Sequence, residues 1–324
     1  MRPLILSYMA KGKTNRNEPQ VAPSSDATTS VFDFERRFPD DAACLDELVR
    51  MLYPAGIHCP TEMKVTKHHR IKNRPAYACD RCGHHVYPMK GTIFEGSSTS
   101  LKLWMYAMYL MASTRCGISA KQLEREIGVS YPTALRMFRQ IRSLLDQDDV
   151  LLSGTVEADE TFLGGKKRWQ HAIKQASSQG GHAEKQPVLG MAMRGESGAK
   201  GKIVAKVIPN VGATELVSNV KARVLPASTV YTDEWRSYNA LGQQGYTHER
   251  INHSEKVYVS GDVHTNTVEG FWSLLRRGLS GVYHSVSDKH LQSYIDEYVF
   301  RYNHRDTPGG MFEAFLGRVT KTTD

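Results

Sequence analysis

The residues that can do chemistry fall into two groups, one of acids and one of cysteines. The acidic group begins in a strand-like run, residues 155–163, bounded by Gly154 and the pair Gly164 and Gly165. Val156, Ala158 and Phe162 alternate with Glu157, Asp159 and Thr161, as side chains on opposite faces of a strand do. Glu160 breaks that alternation. A carboxylate in mid-sheet is costly unless it is paired or bound to a cation. The run therefore reads either as an edge strand with solvated acids or as a rigid seat for metal ligands. Two later acids bear on the choice. Asp233 ends a second apolar run, and Glu269 sits in the first turns of a helix-like segment that His264, Thr265 and Asn266 open. Asp159, Asp233 and Glu269 stand 74 and 36 residues apart.

On that last segment Val268, Trp272 and Leu275 form the stripe to be buried. Asn266, Glu269, Ser273 and Arg276 follow at helical spacing on the other side, which puts an acid and a guanidinium two turns apart on one edge. Glu157 is a neighbour of the site. His264 is a loop histidine, placed either to contact a nucleic-acid strand or simply to be polar.

The second group is Cys59 with Glu62, then Cys79 with Cys82 and Gly83. The latter pair is an intact C-x-x-C knuckle, and two knuckles make a four-ligand zinc ribbon. Here a glutamate takes the place of the fourth sulfur. Its hard oxygen is a poorer partner in a thiolate-rich site, and His68 or His69 is an alternative. A zinc-bound ribbon and a metal-free hairpin packed on Tyr77, Val86, Tyr87, Ile93 and Phe94 both remain open.

Helices and strands must position these groups. Residues 40–52 read as an amphipathic helix capped by Asp40 or Asp41, and 101–113 as an apolar, Met-rich core helix. Ser119, the turn at Gly128, then Ser130 and Pro132 mark a helix-turn-helix. Its small core would be Leu123, Ile127, Val129, Leu135 and Phe138. Arg136, Arg139 and Arg142 would leave a basic face, either for DNA or as the solvated charged face of an ordinary helical hairpin. Strands are expected at 155–163, 187–194, 202–208, 228–233 and 247–252. Helices are expected at 213–224 and 287–301, with a short one at 234–241. The Gly- and Lys-rich link 164–185 reads as a mobile basic loop, with Lys166, Lys167 and Arg168 as DNA contacts.

The three acidic blocks and the head that precedes them, in this order, resemble the bacterial insertion-sequence DDE transposases of the ISXO-like group, which carry an N-terminal zinc ribbon. The likeness spans about residues 59–305. It implies an α/β fold, a ribonuclease-H-like mixed sheet with helices, preceded by a zinc-ribbon-like and a helix-turn-helix module. It also implies that Asp159, Asp233 and Glu269, or Asn266 in its place, hold two Mg²⁺ (or Mn²⁺) ions per active site. Arg276 stands where such enzymes commonly place a basic residue. One structural Zn²⁺ on Cys59, Glu62, Cys79 and Cys82 would be a further cofactor. The partners implied are transposon-end and target double-stranded DNA, bound by a homodimer or larger assembly. The division expected is a flexible tail to residue 30, a helix and ribbon head over 31–97, a helix-turn-helix over 98–148, the catalytic domain over 149–305 and a C-terminal tail over 306–324. A non-catalytic DNA-binding protein using only the head is the competing reading, and a non-transposing nuclease is a third.

Composition agrees with a nucleic-acid partner. Lys and Arg (42) exceed Asp and Glu (34), which gives a net charge of +8. Five cysteines are too few for a disulfide scaffold. The N-terminus lacks a secretory pattern, and the longest apolar run falls far short of the ~20 residues of a membrane span. The expectation is a bacterial cytoplasmic protein at the nucleoid, with no membrane partner.

Overall fold

The computed structural model describes residues 29–114, 116–147, 150–164, 185–195, 201–233, 236–250, 264–307 and 310–320. Lys166, Lys167 and Arg168 lie outside the described residues. The chain opens with α1 (Val31–Arg37), held by a reciprocal cap between Ser30 and Asp33. In α2 (Asp41–Leu52) the capping residue is Asp40, which accepts from Ala43 N at 2.8 Å. The ribbon follows as short antiparallel strands: β1 (His58–Cys59) with β2 (Lys64–Val65), then β3 (His68–Arg70), β4 (Tyr77–Cys79) and β5 (His85–Val86). Next come α3 (Leu101–Ser113), α4 (Ala120–Ile127) and α5 (Tyr131–Ser143). Gly128, at φ +68°, makes the left-handed turn between α4 and α5. Ser130 stands at the start of α5, but its hydroxyl meets Thr133 Oγ1 rather than the backbone.

The second half carries a five-stranded sheet. In chain order it contains β6 (Thr155–Leu163), β7 (Gln186–Met193), β8 (Ile203–Val207), α6 (Ala213–Arg223), β9 (Thr229–Thr232), β10 (Thr247–Arg250), α7 (Asn266–Gly278), α8 (Asp288–Asn303) and α9 (Gly310–Val319). The spatial order is β10-β9-β6-β7-β8. The first three strands pair antiparallel as a meander, and β9 and β10 run parallel to β6. That is the ribonuclease-H-like order. Of the short helix expected over 234–241, residues 234 and 235 lie outside the described residues, and the rest forms two 3₁₀ turns, Arg236–Tyr238 and Leu241–Gln244, ended by Gly245 at φ +86°.

One face of the sheet buries Val156, Ala158, Leu189 and Val230 with Leu216 and Val220 of α6. The opposite face buries Leu163, Val188 and Ala192 against Val268, Trp272 and Leu275 of α7 and Leu291 and Ile295 of α8. Side-chain amides close the outer edge of β8. Gln147 both donates to Ala205 O and accepts from Ala205 N, at 2.8 Å each. Gln292 accepts from Val207 N, and Asn303 bridges both backbone groups of Ile203. An edge that would otherwise template another strand is thereby satisfied within the chain.

Two expectations need correction. Residues 310–319 are not part of a tail. Phe312, Phe315, Leu316 and Val319 of α9 are buried with Phe34, Phe38 and Tyr109, so the C-terminus completes the core of the head. Arg142 does not belong to an exposed basic face. It is 3 % exposed, donates to Glu297 Oε2 at 2.7 Å, and lies 3.6 Å from the Tyr294 ring centroid. Arg301 completes this buried cluster, pairing with Glu297 and donating to Met111 O and Thr114 O at the end of α3. Those carbonyls are among the ones a helix leaves without internal partners. The cluster therefore ties α5 and α3 to α8, behind the sheet.

Candidate active site

The acids converge because two strands differ in length. β9 pairs with β6 only over Thr155, Val156 and Glu157. Among the described residues no strand pairs with that side of β6 beyond Glu157, at the end where β9 stops and Asp233 begins. Asp159 and Glu160 therefore both reach Asp233, although they are neighbours on a strand. One carboxylate oxygen of each lies within 4.8 Å of the other two. Glu160 turns toward the α6 side, where the Tyr238 hydroxyl donates to it. In the sequence Glu160 shows only as a break in a pattern. That break, an acid on the buried parity of a strand, is the signal that it belongs to the site.

Glu269 comes from α7. With Asp159, Trp272, Ser273, Arg276 and Arg277 it lines a cleft of about 530 Å³. Thr265 Oγ1 donates to Glu269 Oε1 at 2.8 Å. Asn266, the competing third ligand, is exposed at the first position of α7 and is not among the cleft-lining residues. Trp272 Nε1 donates to Asp159 Oδ2 at 2.9 Å. The indole can lie there because Gly190, paired with Asp159 on β7, has no side chain. A Cβ at that position would sit 2.7 Å from Trp272 Cη2 and closer still to Cζ2. Arg276 donates to Thr161 Oγ1, two residues past Asp159 on the same face.

These acids repel. Burial pushes the Asp159 carboxyl up to about 6, and the charges of Asp233 and Glu269 add to it against the Trp272 hydrogen bond. Burial likewise pushes Glu160 up to about 7, with Asp233 and Asp159 contributing and Tyr238 opposing. Crowded hard oxygens with raised pKa values suit a divalent cation such as Mg²⁺ or Mn²⁺, whose charge relieves the repulsion.

Glu157 and His264 do not line the cleft. Glu157 is wholly buried and accepts from Arg194 Nε and from the start of α7. His264 accepts at Nδ1 from Arg194 Nη2, since a guanidinium has only donors.

In the head, Cys59, Cys79 and Cys82 bring their sulfurs within 4.8 Å of one another. Glu62 is not part of that group, and neither is His69, which pairs with Asp80. The Thr66 hydroxyl, 3.2 Å from Cys79 Sγ, leads the hydrogen bonds that hold the Cys79 thiol down at about 6. Three thiols, one of them readily ionised, fit Zn²⁺. His68 Nδ1 meets Thr66 O at 2.9 Å, and its Nε2 is buried without a hydrogen-bond partner. On α5, Arg136 and Arg139 are exposed, and Arg136 reaches Ser97 Oγ at 3.3 Å.

The sheet order and the acids gathered at the open side of its central strand place this chain in the ribonuclease-H-like class. Residues 151–303 match the ISXO2-like transposase domain, and residues 39–85 match a transposase zinc-ribbon domain. An uncharacterized protein in transposable element ISH50 of Halobacterium salinarum is 32% identical over 277 residues, 82% of this chain and 92% of its own length. An uncharacterized transposase-like protein of Haemophilus influenzae is 32% identical over 107 residues, 33% of this chain and 85% of its own. The pre-cleavage Mos1 transpososome overlaps 63% of this chain at 11% identity and a TM-score of 0.25, too loosely for any residue correspondence. The chain belongs to the ISXO2-like transposase family and carries its zinc ribbon. Among the described residues no helix is long and apolar enough to cross a membrane.

Proposed function

We propose that this chain is the transposase of an insertion sequence, which binds the element's terminal inverted repeats and catalyses DNA strand cleavage and strand transfer. The observation that carries the reading is the convergence of Asp159, Glu160 and Asp233 from two strands, with Glu269 facing Asp159 from a helix. Asp159, Asp233 and Glu269 hold the divalent cations, two per site. Bound there, Mg²⁺ or Mn²⁺ supplies positive charge against the phosphoryl oxygens at the attacking and leaving positions. Arg276 and Arg277, on the cleft wall, contact the phosphate backbone beside the reacting group. Arg136 and Arg139 present the exposed guanidinium groups of α5 to the DNA end, while α4 and α5 form the reading unit. The active species is a homodimer or larger assembly on DNA, in the cytoplasm at the nucleoid.

The test is cleavage of a duplex carrying the element's terminal repeat. Asp159→Asn and Asp233→Asn should each abolish metal-dependent nicking and joining, while binding of the same duplex stays nearly intact. Strand transfer at the wild-type rate by either variant would refute the assignment. Unaltered end binding with no cleavage by the wild-type protein would favour the non-catalytic DNA-binding reading.

A further inference from the structure

We infer that Glu157 is a positioning residue that sets Glu269 against Asp159, and through that sets the metal affinity of the site. The inference rests on the reading that Glu269 is a metal ligand. Glu157 is 0 % exposed and lies on β6 two residues before Asp159, on the same face. Its Oε2 accepts from Thr267 N at 2.8 Å and Val268 N at 3.2 Å. Its Oε1 accepts from Thr267 Oγ1 at 2.8 Å and Arg194 Nε at 2.7 Å. Thr267 and Val268 are the second and third residues of α7, whose backbone donors have no partner within the helix.

A residue of the helix itself ordinarily fills that role. Here Thr265 stands at the capping position, makes no cap hydrogen bond, and spends its hydroxyl on Glu269 instead. A strand carboxylate has taken over the cap. The consequence is geometric. One side chain fixes both the axial position and the rotation of α7 relative to β6. From that anchor, two residues along the strand lead to Asp159 and two along the helix lead to Glu269. Arg194 balances the buried charge, and its Nη2 also donates to His264 O at 2.7 Å, which fastens the approach to the helix. Removing a residue that orients a ligand in this way changes metal affinity by about 10–100-fold.

The test is Mn²⁺ binding to the full-length protein, read by electron paramagnetic resonance of the free ion, for Glu157→Gln, Glu269→Gln and the double variant. Glu157→Gln should weaken Mn²⁺ by about 10–100-fold. The double variant should bind no more weakly than Glu269→Gln alone, because Glu157 acts through Glu269. A purely structural role would lower the melting temperature but would show no such dependence on Glu269. Wild-type Mn²⁺ affinity in Glu157→Gln, or additive losses in the double variant, would overturn the inference and leave the metal reading intact. Wild-type affinity in Glu269→Gln would instead overturn the metal reading. If Glu157→Gln does not fold, Thr267→Ala removes one donor to the same carboxylate. It should weaken Mn²⁺ by about threefold or more, the worth of one hydrogen bond, only when Glu269 is present, and unchanged binding would overturn the inference.

Discussion

Asp159→Asn should stabilise the metal-free protein while abolishing its chemistry. The Asp159 carboxyl is held at about 6 against an ordinary 3.8, burial being the main cause. Its charged form is therefore penalised in the fold. About two pH units at ~1.4 kcal/mol each give about 3 kcal/mol. An amide keeps the oxygen that accepts from Trp272 and sheds the charge. For a chain of this size the gain corresponds to roughly 4–8 °C in melting temperature. A folded pKa above the unfolded one means that the penalty is absent below 3.8, grows between 3.8 and about 6, and is complete above that. Thermal melts in chelator should show the full gain at about pH 8 and about half of it at about pH 5. Mg²⁺ should then raise the wild-type melting temperature and leave the variant nearly unchanged. A variant less stable than wild type at the higher pH, or an equal gain at both, would refute the reasoning.

Other outcomes follow from the same structure. Gly190→Ala should displace Trp272 and cost about 1–3 kcal/mol of stability, with cleavage falling further than end binding. Glu297→Gln should cost about 3–5 kcal/mol by leaving Arg142 and Arg301 buried without a counter-charge. Burial alone would raise the Glu297 carboxyl, but the two arginines outweigh it and hold it below 4.5. The Glu297 contribution, measured by denaturant melts, should thus be complete above about pH 4.5 and fade as pH falls through the lowered folded value. Replacing Arg136 and Arg139 with Ala should lower the salt dependence of end binding, the slope falling by about 0.9 for each phosphate that no longer meets a guanidinium. Zinc content of the purified protein should be below one per chain, and Glu62→Cys should raise it by supplying the fourth thiolate.

Much of this protein is legible in its sequence because local chemistry and tertiary need agree. Period-two alternation over 155–163 and the stripe Val268, Trp272 and Leu275 define the strand, the helix and their buried faces. Capping residues Asp40 and Ser119, with the turn at Gly128, mark helix boundaries because unpartnered backbone donors demand them locally. The three acids are visible as carboxylates at strand centre, strand end and first helical turn. What the sequence leaves undecided depends on contacts between distant segments. Helical spacing puts Arg142 with Arg136 and Arg139, yet Arg142 is buried, because only the fold brings Glu297 to it across 155 residues. Residues 310–319 carry too few signals to announce a helix, and their phenylalanines find partners only in the core of the head. Glu160 joins the acids because β9 ends early, a fact of pairing register rather than of composition. Glu157 reads in sequence as a neighbour of the site. The backbone donors of α7, 110 residues further along the chain, make it the cap of the helix that carries Glu269.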